Sequence, residues 1–268
     1  MHQILFRIPP FHWGTHSWGG FAVYSYGLML SIAFAVSLWI TVLRGKARGV
    51  STEASTDLAV AVIIAGVIGS RLLFVLEEWN DYSGNAWSIF NIREGGLSLH
   101  GGLILGLLVG WWVARRHKID FWKGADILAP GIAIGMGIGR IGCFLNGCCV
   151  GIPTTLPWGV VFKDSPLYFG PRHPTQLYEM ILDFLIAGVL MLGFKNSRPG
   201  TTFLWFCILT GISRFGIEFL RADAIWVGPL SFVQILCLLI IGVATYFLLK
   251  RGESPRSVPI LAKDAKRA

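Results

Sequence analysis

Polar residues along this chain collect in short clusters, and the stretches between them are almost wholly apolar. A bilayer core about 30 Å thick takes about 20 helical residues to cross. Seven stretches approach that length, at approximately 21–43, 58–76, 97–114, 125–145, 176–194, 201–220 and 229–249. The fourth carries Pro130 and the run ILAPGIAIGMGIGRIG, which predicts a kinked or broken helix. The pattern therefore predicts an all-α polytopic membrane protein with about seven transmembrane helices. Residues 1–250 read as a single transmembrane domain with outer-face loops and short helices, and 251–268 as a basic, disordered tail. The opening MHQILFRIPPFHWGTHSWGG lacks the charged start, apolar stretch and small-residue cleavage site of a signal peptide, so it is expected to stay attached.

Composition agrees with the pattern. Of the 268 residues 54% are hydrophobic and only 14% charged, with a mean hydropathy of +0.62, against about 25% charged in an ordinary soluble domain. A soluble enzyme and a disordered chain are both excluded, and five Cys are too few for a disulfide scaffold. The net charge of +8 does not point to nucleic acid, because the Lys and Arg sit between apolar runs and not along one face. Their distribution sets orientation instead. Fifteen fall on one side of a seven-span arrangement, five on the other, and Arg71, Arg140 and Arg214 lie within apolar segments. The N-terminus is expected outside and the C-terminus, with its basic anchoring tail, in the cytoplasm.

Ionisable side chains at membrane depth carry the chemical information, since each costs about 2.5 to 3.5 kcal/mol there even on the gentler insertion scale. For Arg71 in GVIGSRLLFVLEEW, a pair with Glu77 or Glu78 serves as well as a functional role. Glu179 and Asp183 share a helix face, and Asp183 suits a structural partner for a buried cation. Arg140, in GIGRIGCFLNG, is flanked by glycines that let a ligand or another helix approach closely. Arg214, Glu218 and Arg221 recur on one helical face of ISRFGIEFLR, where an Arg214–Glu218 pair accounts for one arginine only. Several guanidinium groups converging at a membrane boundary match an anionic lipid head group, because arginine offers planar two-point donors to phosphate.

His100 opens the run HGGLILG at the outer mouth of a span, where a general base and a histidine bonded to a backbone carbonyl both fit. Asn146 fits a helix cap as well as a site role. Cys143, Cys148 and Cys149 in CFLNGCC have poor spacing for zinc. A buried thiol is expected at Cys143, and an oxidised pair involving Cys148 or Cys149 stays open. The tryptophans near outer ends, Trp13, Trp18, Trp79, Trp87, Trp158 and Trp226, read as an interfacial belt.

Five stretches together resemble one family: YSYGLML at 24–30, GGLSLHGG at 95–102, the 125–151 segment with GRIGCFLNG, HPTQLYE at 173–179 and RFGIEFLR at 214–221. The family is that of the bacterial phosphatidylglycerol:prolipoprotein diacylglyceryl transferases. The resemblance implies a multi-pass inner-membrane enzyme with its active site toward the outer face. Such enzymes move a diacylglyceryl group from phosphatidylglycerol to the lipobox cysteine of a preprolipoprotein signal peptide, leaving a thioether and glycerol phosphate, without a cofactor or metal. By motif match His100 is similar to the family's catalytic histidine and Arg140 and Arg214 to its essential arginines. Tyr26, Asn146, Gly151 and Glu218 are similar to its supporting positions, and Arg221, Gly101 and Gly102 are expected to help bind substrate. Departures from the common pattern fall at Cys143, usually Asn, at Cys148, usually Glu, and at Leu105 and Thr210. Bilayer lipids and signal peptides are the expected partners. A transferase acting on another lipid and an anionic-solute transporter are the alternatives; the transporter reading lacks the internal repeat that such folds usually carry.

Overall fold

A computed structural model describes residues 4–7, 11–13, 16–18, 22–82, 88–89, 96–162, 169–193 and 197–252. Among them are eight helices: α1 (Ser25–Ala47), α2 (Thr52–Glu77), the short α3 (Trp79–Tyr82), α4 (Leu99–Arg116), α5 (Phe121–Asn146), α6 (Thr175–Gly193), α7 (Thr201–Glu218) and α8 (Phe232–Gly252). Five of these, α1, α2, α5, α6 and α8, are long and apolar enough to cross a membrane. Helices α4 and α7 have 18 residues each, and at 1.5 Å per residue they are about 27 Å long.

The main helix pairs are α1 with α5, α2 with α4, α5 with α6 and α7 with α8. Their outward faces are apolar, as at Ile64, Ile68 and Leu72 on α2, Leu103 and Leu107 on α4, and Leu185 and Leu192 on α6. Polar side chains such as Asp126, Gln176, Glu179 and Gln234 are buried inside. This inverts the ordinary soluble arrangement and suits a lipid solvent.

Small residues set the helix spacing. A methyl group on Gly69 or Gly101 would collide with the facing backbone carbonyl of the other, so α2 and α4 touch there. At Gly131 the α1 backbone is also close, and the Ser37 hydroxyl donates to the Gly131 carbonyl at 2.7 Å. Of the kink or break expected around Pro130 the break does not occur, since α5 is continuous from Phe121 to Asn146. Packing of α1 along its glycines supports the turn that proline weakens.

The connections include the short helix α3, of the kind expected there. Besides α3 they form four antiparallel two-stranded ribbons: β1 (Ile4–Arg7) with β4 (Ala22–Tyr24), β2 (Phe11–Trp13) with β3 (His16–Trp18), β5 (Val160–Val161) with β6 (Pro171–Arg172), and β7 (Trp226–Val227) with β8 (Leu230–Ser231). Ribbons satisfy backbone donors and acceptors across these chain reversals.

One end of the bundle is locked by a buried carboxylate. Asp126 of α5 accepts from the Gly200 and Phe203 amides at 2.8 Å and so caps α7 from outside its own sequence. Arg48 lies 3.7 Å from the same carboxylate and donates to the Ser197 carbonyl at 2.8 Å. At this end Arg251 also stacks over Trp122, at 3.9 Å from the ring centre. Arg251, the first residue of the segment expected to be a tail, is thus part of α8. Residues 253–268, and with them nearly all of that tail, lie outside the described residues, as do Trp87 and the loop around Ser83.

Candidate active site

The opposite end collects the residues singled out by the sequence. Tyr26 begins α1, His100 begins α4, Arg140 and Asn146 end α5, Glu179 begins α6, and Arg214 and Glu218 end α7. Alternating helix direction is enough to place these termini together, because short links join α1 to α2 and α4 to α5.

Glu179 is the hub. Its carboxylate pairs with Arg140 Nε at 2.6 Å and Arg214 Nη1 at 2.5 Å, and Arg221 Nη1 lies 3.9 Å away. Arg214 Nη2 also meets Glu218 at 2.9 Å, the pair expected from their spacing. Glu218 is held in turn by the Ser231 hydroxyl at 3.1 Å. The third arginine is braced by Asp223, which accepts from Arg221 Nε at 2.8 Å and Nη2 at 2.6 Å. Burial disfavours charge on Arg221, but Asp223 and Cys149 outweigh it and hold the guanidinium pKa above its ordinary value.

Two buried carboxylates thereby set three guanidinium groups side by side, an arrangement that repulsion would otherwise open. Arg140 and Arg214 stay about a quarter exposed, at 23% and 26%, whereas Glu179 and Glu218 are closed off at 5% and 2%. Arg140 spends only Nε on Glu179. Among the described residues its two terminal nitrogens have no hydrogen-bond or ion-pair partner. An anion reaching this end of the bundle meets open two-point donors.

Sequence reasoning noticed Glu179 but gave it no place in the site. Its signal was present: a carboxylate at the outer end of an apolar helix, in a chain with three arginines at matching depth. Asp183, one turn further in, is buried and makes no ion pair within 4.0 Å among the described residues, but the Arg140 guanidinium acts on it electrostatically, in line with a partner role for a buried cation.

Arg71 does something else. It donates to the Ser88, Ile89 and Gly96 carbonyls at 2.7, 2.7 and 3.0 Å and lies over the Tyr82 ring, instead of pairing with Glu77 or Glu78. It thereby fixes the chain just before His100, where Gly96 takes a positive φ of 81°. Ser98 continues the anchorage through its amide to the Ser70 carbonyl at 2.9 Å and its hydroxyl to Glu77 at 3.3 Å. His100 follows in the first turn of α4, exposed, and its ring makes no hydrogen bond or ion pair among the described residues. Gly101 and Gly102 face α2 at the close crossing, where a methyl group on Gly102 would strike the Ser70 hydroxyl.

Tyr26 is 39% exposed, and its ring edge lies against Gly142 of α5, half a turn from Arg140. Asn146 is the last residue of α5, but the left-handed cap is Gly147, and the Asn146 side chain hydrogen-bonds the Cys148 thiol. Gly151 threads a narrow passage. Its amide donates to the His173 carbonyl at 3.1 Å, and the next amide donates to the Leu220 carbonyl at 2.8 Å. A Cβ on Gly151 would lie 2.7 Å from the His173 carbonyl oxygen and 2.8 Å from that of Leu220. Gly151→Ala is therefore expected to cost about 1–3 kcal/mol and to displace Arg221. Thermal unfolding and turnover should fall together; unchanged values for both would show that the passage yields.

The three sulfur atoms of Cys143, Cys148 and Cys149 lie within 4.8 Å of one another, and all three thiols are free and half-buried. Hydrogen bonds from the Cys143 and Cys148 thiols, with Arg221 beside them, push the Cys149 pKa well below the usual thiol range despite burial.

The arginine cluster and the HGG, GRIG and HPTQLYE segments thus meet at one end of one bundle. Residues 15–250 match the family model described as prolipoprotein diacylglyceryl transferase. The chain belongs to that family. It is 33% identical over 252 residues to the phosphatidylglycerol–prolipoprotein diacylglyceryl transferase of Gloeobacter violaceus, covering 90% of this chain and 94% of that protein. A protein of the same name from Bacillus mycoides is 35% identical over 249 residues, covering 88% of this chain and 90% of its own. Membership makes the chain a membrane transferase of diacylglyceryl groups in lipoprotein biosynthesis, and nothing favours the transporter reading.

Proposed function

We infer that the chain transfers the diacylglyceryl group of phosphatidylglycerol to the lipobox cysteine thiol of preprolipoproteins, forming a thioether and releasing glycerol phosphate. The observation that carries this reading is the convergence of Arg140, Arg214 and Arg221 on Glu179, with the Arg140 terminal nitrogens unpartnered among the described residues. In the reaction the thiol sulfur attacks the glyceryl carbon next to phosphate. A C–S bond forms, the C–O bond breaks with its electrons passing to phosphate, and the thiol proton leaves. The phosphate changes from a monoanion to a glycerol phosphate dianion, so donors held in advance around it stabilise the transition state more than the bound lipid.

In this mechanism His100 accepts the thiol proton, Arg140 and Arg214 hold the phosphate, and Arg221 adds charge beside them. Glu218 orients Arg214, Tyr26 and Asn146 line the same end of the bundle, and Gly101, Gly102 and Gly151 admit close approach of backbone. The acyl chains lie among the lipid-facing helices, and both substrates enter laterally from the bilayer. Incubating the purified enzyme with phosphatidylglycerol vesicles and a lipobox peptide is expected to add the mass of one diacylglyceryl unit to the peptide. Transfer from a different lipid, or no mass gain by an active preparation, overturns the reading.

The same reading takes all seven long helices as spans, with the site end outside and the Asp126 end in the cytoplasm of a bacterial inner membrane, in line with the Lys and Arg distribution. A reporter fused after Arg251 should be cytoplasmic, and a cysteine placed at Ser83 should react with an impermeant reagent from outside. Outside labelling of a cysteine placed at Lys118 would sink this topology.

A further inference from the structure

The thiols at the end of α5 take no step in the transfer chemistry above. We propose that Cys143, Cys148 and Cys149 form a three-sulfur binding site for a soft d10 metal cation, with Cu(I) as the ion of choice. Their sulfurs already lie within 4.8 Å of one another. Metal–sulfur bonds of about 2.3 Å place three ligand sulfurs about 4 Å apart, so closing the site takes less than about 1 Å of side-chain movement.

The backbone is committed to this grouping. After α5 ends, Gly147 turns left-handed at φ 74° and Cys149 follows at φ 61°, a region that side-chain-bearing residues rarely adopt. Two fully buried side chains hold the turn: Thr175 Oγ1 donates to the Cys149 carbonyl at 2.8 Å and Gln176 Nε2 to the Cys148 carbonyl at 2.7 Å. Adjacent cysteines in an extended strand would point to opposite faces. The left-handed residue turns both back toward Cys143, one turn beyond Arg140.

Donor chemistry selects the ion. The cluster consists of thiols alone, with no His or carboxylate among the described residues grouped with them. Thiolates favour Cu(I) and Zn(II), but structural zinc is almost always four-coordinate. Three sulfurs complete a trigonal Cu(I) site and leave zinc short of a ligand. Binding releases the remaining thiol protons to solvent and gives an anionic complex, which the neighbouring Arg140 and Arg221 guanidinium groups stabilise. Half-burial leaves the sulfurs within reach of an incoming ion.

The test uses the full-length, reduced, metal-free protein in lipid nanodiscs, titrated with Cu(I) against a competing chelator. Thiolate-to-metal charge-transfer absorption and mass spectrometry should report one Cu(I) per chain. The triple variant Cys143→Ser, Cys148→Ser, Cys149→Ser should lose it, and the double variant Cys207→Ser, Cys237→Ser should keep it. Metal loading of the unmutated protein should also shield the three clustered thiols from alkylation, a readout that does not depend on how well any variant folds. Equal copper binding by the triple variant, or alkylation of the three thiols unaffected by Cu(I), overturns the site. Tighter retention of Zn(II) than of Cu(I) in competition overturns the three-coordinate assignment.

Discussion

Replacing Arg140 or Arg214 with lysine is expected to lower turnover about 10²- to 10³-fold, the loss found when one donor to developing charge is removed. Lysine keeps the charge, so a large loss isolates geometry from charge. Arg140 gives Nε to Glu179 and still has two terminal nitrogens to present. A lysine has one nitrogen and must choose between the carboxylate and the substrate phosphate. At position 214 the demand is heavier, because Nη1 and Nη2 serve Glu179 and Glu218 at once. Arg214→Lys should therefore leave one buried carboxylate short of a partner and also lower stability, whereas Arg140→Lys should spare stability and lose mainly rate. Thermal unfolding measured beside kcat and KM separates the two. Near-normal turnover in both folded variants would reduce the arginines to structural charges.

The helices were legible because lipid forces a one-dimensional signal: every spanning stretch must be apolar along its length, and the seven runs anticipate the seven long helices closely. The sites of error share a cause. Pro130 reads locally as a kink or a break, and α1 packs along Gly131 where the helix continues unbroken, so a neighbour distant in sequence decides between them. Arg71 reads as a partner for the nearby Glu77, but it bonds to carbonyls up to 25 residues away. That the three cysteine sulfurs come together was not legible either, because it depends on left-handed backbone at Gly147 and Cys149. For the site, side-chain chemistry marked Arg140, Arg214, Glu218 and Arg221 directly. Glu179 could be ranked with them only once α6 was known to lie between α5 and α7, a fact of tertiary packing that composition does not carry.

Replacing His100 with glutamine is expected to slow turnover at least about 10²-fold, the low end of a general-base contribution. Glutamine keeps hydrogen-bonding capacity and loses the basic nitrogen, so it separates proton transfer from positioning. The ring is well placed for such a test. Arg71, Gly96 and Ser98 fix the backbone before it, the Gly69–Gly101 contact fixes the backbone after it, and the ring itself is exposed without a partner among the described residues. A histidine retained only to bond a helix start would be tied down, and a glutamine would replace it at little cost. The pH profile supplies the second readout. An imidazole accepts a proton only when neutral, so the rate should fall in acid. That acid limb should vanish in His100→Gln, leaving a slow rate governed by thiolate formation in solution and rising with pH toward the thiol pKa of about 8.5. A glutamine variant with a near-normal rate and an unchanged profile would remove the base from the mechanism. The thiolate would then have to form in the field of Arg140, Arg214 and Arg221 alone.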